Sequence, residues 1–181
     1  MGDMARRIFE EEQEHNRALH VDRPPYADVL RYFKQRNNNS FVVGGAVRDH
    51  LNGRPIKDID ILVLGTPSNA GYASIGLWEV EKQHVDNVGS DVVASRRFVG
   101  EFMGWEVDLF FRDDVDSIYD MIKTFDLGFC QCAYDGNSHI LTNAYMHDVA
   151  NKQIAVRNQT FNSDDRVKRM LVKYPDWKVI R

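Results

Sequence analysis

Apolar residues recur at helical spacing between Tyr26 and Gln35, at Tyr26, Val29, Leu30 and Phe33, and the run stops at Asn37-Asn38-Asn39. Phe41-Val42-Val43 is a short apolar run of buried-strand type. Gly44-Gly45 then turns the chain into a predicted helix over 45–52, closed by Gly53. Residues 58–64 alternate and then run apolar, which predicts a strand. Thr66-Pro67 has the form of an N-cap followed by proline at the first helical position, predicting a helix to about residue 84. Two strands are expected over 97–103 and 105–112, joined at a tight turn through Gly104. An amphipathic helix over 114–124, strands over 126–134, 139–142 and 153–157, and helices over 143–150 and 163–174 complete the pattern. Ahead of all this, residues 5–19 are rich in Glu and Arg and predict an exposed helix ended by Pro24-Pro25. Strands and helices mix without regular alternation, so the expected fold class is α+β, a mixed β-sheet with flanking helices.

Composition narrows the setting. The chain has 181 residues, enough for a single disulfide-free core. The predicted division is an N-terminal helical extension (1–25), a main domain (26–160) and a basic helical tail (161–181). A net charge of −4 argues against a surface that coats nucleic acid broadly. Basic residues concentrate locally, because residues 164–181 hold six Lys/Arg against three Asp. No apolar run is long enough to span a membrane, and the first residues lack the form of a secretory signal. The two cysteines, Cys130 and Cys132, are expected to be buried reduced thiols. The expected location is cytoplasmic.

Chemistry concentrates in two places. Asp58 and Asp60 fall two apart on a predicted strand, so they share a face about 6.6 Å apart along the chain, with Ile59 and Ile61 turned to the core. Two adjacent carboxylates repel unless a cation lies between them, and Mg²⁺ suits oxygen ligands shared with phosphate and water. Alone, Asp-X-Asp is more often an idle exposed pair. The glycines shift that balance. Gly44-Gly45, thirteen residues before Asp58, joins a buried strand to a helix start, where bare backbone N–H groups can approach a triphosphate. Arg48 can touch phosphate, or it can form a structural ion pair with Asp49. Glu106 and Asp108 share a face of a strand able to pair beside residues 58–60, and Asp108 is the expected third carboxylate. The six histidines show no metal-ligand spacing.

Gly44-Gly45-Ala46-Val47-Arg48-Asp49, Leu51-Asn52-Gly53-Arg54 and Lys57-Asp58-Ile59-Asp60-Ile61 resemble the head-domain signature of the bacterial-type tRNA CCA-adding enzymes and poly(A) polymerases. These belong to the DNA polymerase β-like nucleotidyltransferase superfamily. Thr66-Pro67, Arg96-Arg97-Phe98, the Asp108 to Arg112 strand, the block from Phe125 to Tyr134 and the Asp148 to Val156 stretch extend the resemblance over about residues 40–170. It implies a polymerase β-like fold and places Asp126 among the nucleotide-binding residues. The chain departs from the pattern where Thr124 and Phe125 replace two arginines and Cys130 replaces asparagine. Arg166-Val167-Lys168-Arg169 resembles the start of the family's base-reading neck.

Together these readings predict a Mg²⁺-dependent nucleotidyltransferase. It would move a nucleoside monophosphate from a ribonucleoside triphosphate to a hydroxyl, with an RNA 3′ end as the acceptor the resemblance implies. A protein side chain or small molecule stays open as the acceptor. Asp58, Asp60 and Asp108 would be catalytic and bind metal; Gly44, Gly45, Arg48 and Asp126 would bind nucleotide. The alternative is a non-catalytic nucleotide- or partner-binding module that keeps the fold.

Overall fold

The structure, a computed structural model, describes residues 23–66, 71–80 and 96–181. The helix expected over 5–19 lies outside these residues. Helix α1 spans Ala27–Lys34 and buries Val29, Leu30 and Phe33, which the sequence spacing marked, together with Ala27. Strand β1 (Ser40–Val43) leads through Gly44 into helix α2 (Gly45–Leu51), and strand β2 (Asp58–Leu64) follows. A 3₁₀ turn (Tyr72–Ile75) precedes the short strand β3 (Leu77–Glu79), then β4 (Arg96–Phe102) and β5 (Trp105–Arg112) form a hairpin. Helix α3 (Ile118–Lys123), a 3₁₀ turn (Gly128–Cys130), β6 (Cys132–Tyr134), β7 (His139–Leu141) and α4 (Asn143–Ala150) come next. The chain closes with β8 (Gln153–Ala155), α5 (Ser163–Lys173) and β9 (Lys178–Ile180).

Two expectations need correction. The helix expected from residue 66 to 84 is not continuous, because residues 72–75 are 3₁₀ and 77–79 are strand. Leu77 is fully buried and its strand pairs antiparallel with β4, so sheet pairing decides residues 77–79. Residues 67–70 and 81–84 of that stretch lie outside the described residues. The strand expected over 126–134 begins at Cys132, after the 3₁₀ turn. Strand β9 follows Trp177 and pairs in parallel with β8, a long-range pairing that no local periodicity signals.

Seven strands form one sheet in the order β3-β4-β5-β2-β1-β6-β7. The β2–β5 pair is parallel and the other neighbours are antiparallel. This is the mixed sheet with flanking helices that the pattern predicts. Alternation divides each strand between two cores. Ile59, Ile61 and Val63 join Val107, Leu109 and Phe111 under α1 and α2 on one face. Leu62, Leu64 and Phe110 join Met121, Ile122, Val167 and Tyr174 on the other. By the same alternation Asp58, Asp60 and Asp108 stand on the second face. Fully burying one Leu or Ile contributes about 1.5–3 kcal/mol, so the period-2 pattern strongly fixes which face carries the acids.

Candidate active site

The strand register sets the acids. Parallel pairing places Asp60 opposite Asp108 and Asp58 opposite Glu106. The side chain of Glu106 is 74% exposed and that of Asp108 is 20% exposed, so only Asp108 belongs to the recess. Asp58, Asp60 and Asp108 line one cavity of about 170 Å³ together with Gly44, Gly45, Arg48, Phe125, Arg166 and Arg169.

The turn before α2 needs glycine. Gly44 has φ of +61°, a conformation that costs other L-residues energy. Its N–H donates to the Cys132 carbonyl at 2.9 Å, which ties the turn to β6. The absent side chains leave the backbone of Gly44 and Gly45 facing the cavity that Asp60 also lines.

Burial and the neighbouring charges of Asp108 and Asp58 push Asp60 up to about 7, against the opposing pull of Arg166 and Arg48. A carboxyl held that high marks a cluster short of positive charge. The donor set fits a divalent cation that takes one or two carboxylates and completes its shell with phosphate oxygens and water. Asp58 and Asp60 are the pair available. Asp108 is engaged, because Arg97 Nε donates to its Oδ1 at 2.8 Å and Oδ2 at 3.1 Å, and Arg97 Nη2 donates to Oδ2 at 2.5 Å. Accordingly no group of three His, Cys, Asp or Glu side chains among the described residues is arranged to hold a metal ion in this conformation. The three expected carboxylates therefore come together on one face, but Asp108 is turned to an arginine.

Arg48 serves both readings given to it. Its Nε donates to Asp49 Oδ1 at 2.8 Å and its Nη1 to Cys130 Sγ at 3.2 Å, while the side chain still lines the cavity. Asp49, only 2% exposed, also accepts from Tyr174 OH at 2.8 Å and from Lys173 Nζ. Burial works to raise Asp49, and Arg48, Lys173 and Tyr174 overcome it and hold the carboxyl below its ordinary range. That network clamps α5 onto α2 across 124 residues of sequence. Positions 166, 169, 170 and 173 share one face of α5, so the clamp delivers Arg166, Arg169 and Met170 to the cavity.

Asp126 sits behind the site. It is fully buried, accepts from Leu127 N at 2.9 Å and Ser163 Oγ at 3.3 Å, and pairs with Arg166 at 3.3 Å. It does not line the cavity; it holds Arg166, which does. Cys130 and Cys132 are both buried and free. His50 and His139 stack at 6.0 Å beside Tyr26, a packing role away from the acids. Sequence reasoning did not single out Arg97 as a partner of Asp108. The signal was the Arg96-Arg97 pair at the start of β4, two residues along from Val99, which pairs with Asp108.

Comparison with known proteins bears on the fold that carries this site. Residues 40–92 match the model of the family described as Poly A polymerase head domain. A CCA-adding enzyme from Geobacillus stearothermophilus is 40% identical over 50 residues, covering 26% of this chain and 12% of that protein. Among solved structures, the Thermotoga maritima CCA-adding enzyme complexed with tRNA_CCA superposes with a TM-score of 0.65 at 22% identity, covering 91% of this chain and 42% of that one. A CCA-adding enzyme in complex with ATP gives 0.63 at 23% identity, covering 91% and 41%. The Bacillus stearothermophilus CCA-adding enzyme in complex with CTP gives 0.60 at 18% identity, covering 87% and 41%. The chain thus spans less than half the length of these solved relatives. The described residues carry the nucleotidyltransferase fold of the CCA-adding enzymes, and residues 40–92 match the model of the poly A polymerase head domain.

Proposed function

We propose that the chain transfers a nucleoside monophosphate from a ribonucleoside triphosphate to a hydroxyl, and that the acceptor is an RNA 3′ end. The observation that carries this reading is one cavity lined by the Gly44-Gly45 turn, the paired acids Asp58 and Asp60, and the cations Arg48, Arg166 and Arg169. The backbone at Gly44 and Gly45 and the arginines hold the triphosphate. Asp58 and Asp60 present carboxylate oxygens to Mg²⁺, which when bound supplies charge neutralisation and activation of the attacking hydroxyl. The acceptor oxygen bonds to the α-phosphorus, the bond to the β-phosphate breaks, and pyrophosphate leaves. Asp108 takes the hydroxyl proton. The relatives bound to tRNA, ATP and CTP support these substrate classes. A cytoplasmic setting belongs to the same proposal, and two free buried thiols support it. No helix among the described residues is long and apolar enough to cross a membrane. Incubation with labelled ribonucleoside triphosphates, Mg²⁺ and a pool of RNAs tests the reading through labelled RNA and released pyrophosphate. A non-catalytic nucleotide-binding module is favoured by one observation, the grip of Arg97 on Asp108. It predicts nucleotide binding with no pyrophosphate released.

Two expected outcomes concern the nucleotide. Arg169 makes no hydrogen bond or ion pair among the described residues, whereas Arg48 and Arg166 are each tied to an aspartate. Arg169→Ala should therefore weaken nucleotide binding about tenfold, a loss of one charge-assisted contact, without lowering the melting temperature. Unchanged affinity in a calorimetric titration would remove Arg169 from the phosphate site. Base discrimination should also be poor. Of the α5 arginines on the cavity, Arg166 is held by Asp126, so few fixed donors remain to penalise a wrong base. Titration with the four ribonucleoside triphosphates should give affinities within about tenfold of each other. A preference well beyond roughly 100-fold would mean a base-reading edge exists.

A further inference from the structure

We propose that Arg97 is a competing counter-ion for Asp108, one that occupies the third carboxylate until a divalent cation displaces it. The site then takes its first cation through Asp58 and Asp60, and Asp108 becomes a ligand only when Arg97 lets go. The inference rests on the reading of the Asp58–Asp60 face as a cation and triphosphate site.

Three contacts cover both oxygens of Asp108, at 2.8, 3.1 and 2.5 Å. A planar guanidinium matches a carboxylate in this forked way, which a lysine cannot do. Arginine does not lose its proton in proteins, so Asp108 is freed by displacement and not by titration of its partner. Strand register puts Arg97 there. Val99 pairs with Asp108, and Arg97, two residues along β4, shares its face. The other buried cations of the site bind acids that are not its candidate ligands: Arg48 binds Asp49 and Arg166 binds Asp126. Lys57 reaches Asp58 at 3.3 Å, but its side chain is 76% exposed, so that pair is screened and yields readily to a cation. Arg97 and Asp108 are 23% and 20% exposed, sheltered enough for the pair to matter and open enough for the guanidinium to leave. A cation that binds both Asp60 and Asp108 must therefore break a specific bidentate pair.

The test is Mn²⁺ binding, read by the loss of the free-ion electron paramagnetic resonance signal and by the rise in melting temperature on adding Mn²⁺. The whole chain is used, as wild type, Arg97→Gln, Arg97→Lys, Arg97→Gln with Asp108→Asn, and Asp58→Asn. A charge-assisted contact that must break before the cation binds weakens that binding by roughly tenfold or more. Arg97→Gln should therefore bind Mn²⁺ about tenfold more tightly and gain more melting temperature from the ion than wild type. Adding Asp108→Asn should abolish that gain. Arg97→Lys, which keeps the charge and loses the fork, should fall between, and it carries the test if Arg97→Gln does not fold. Affinity in Arg97→Gln or Arg97→Lys equal to or weaker than wild type overturns the proposal. If Asp58→Asn leaves wild-type Mn²⁺ binding intact, the Asp58–Asp60 reading is what fails, and that result shows without any Arg97 variant.

Discussion

Asp60→Asn should lower nucleotidyl transfer by about 10²–10⁴-fold while making the metal-free protein more stable above neutral pH. The loss of activity follows from position. Asp60 faces Asp108 in register, lines the same cavity as Gly44 and Gly45, and is one of two carboxylates open to a cation. An amide there offers one neutral oxygen in place of a charged pair. The gain in stability follows from the same burial. In the folded chain Asp60 is pushed up to about 7, well above an ordinary aspartate. Between about pH 4 and 7 the folded state therefore holds a proton that the unfolded state has lost. Stability falls as pH rises through that window and levels off above it. The mutant lacks this loss, so at pH 8 it should exceed wild type by on the order of 2–4 kcal/mol, and at pH 4 the two should nearly coincide. Urea unfolding at the two pH values checks the stability, and pyrophosphate release checks the activity. Near-wild-type turnover would remove Asp60 from the chemistry; equal stability difference at both pH values would remove the charge argument.

Gly128→Ala should destabilise the fold by about 3–5 kcal/mol, although Gly128 lies outside the cavity. A Cβ at this position would sit 2.0 Å from Asp148 Oδ2 and 3.0 Å from Arg157 Nε. Asp148 is fully buried. Its Oδ1 accepts from Gln153 Nε2 at 2.8 Å and from Arg157 Nη2, and its Oδ2 has no hydrogen-bond partner. The carboxylate is packed against the bare Cα of Gly128, so a methyl group must push it off Arg157. Displacing the fully buried Asp148 from the partly exposed Arg157 leaves an uncompensated buried charge, which is the costly case. For a chain of this size the loss corresponds to a melting temperature lower by roughly 10–15 °C. A scan showing less than about 3 °C would mean that Asp148 relaxes into free space instead. The site should feel this change, because the turn at Gly128–Cys130 carries the Cys130 thiol that accepts from Arg48.

Local sequence determined the frame of this protein. Period-2 alternation over Asp58–Leu64 and Trp105–Arg112 sends Ile59, Ile61, Val107 and Leu109 to one core and leaves Asp58, Asp60 and Asp108 on the other face. Gly44-Gly45 between an apolar run and a helix start marked the turn that lines the cavity, because only a residue without Cβ sits easily at φ of +61°. Helical spacing marked α1 and α3. These features are legible because each depends on neighbours a few residues away.

Tertiary structure alone decided what each charged group does. Arg97 and Asp108 meet because β4 and β5 pair in one register and β5 lies parallel to β2. Arg166 and Arg169 reach the cavity because Asp49 binds Lys173 and Tyr174 more than a hundred residues away. Asp126, placed at the nucleotide by resemblance, stands behind Arg166 because α5 packs over it. Charges act through space over a few ångströms, and which charges come that close is set by long-range packing that no local pattern of residues encodes.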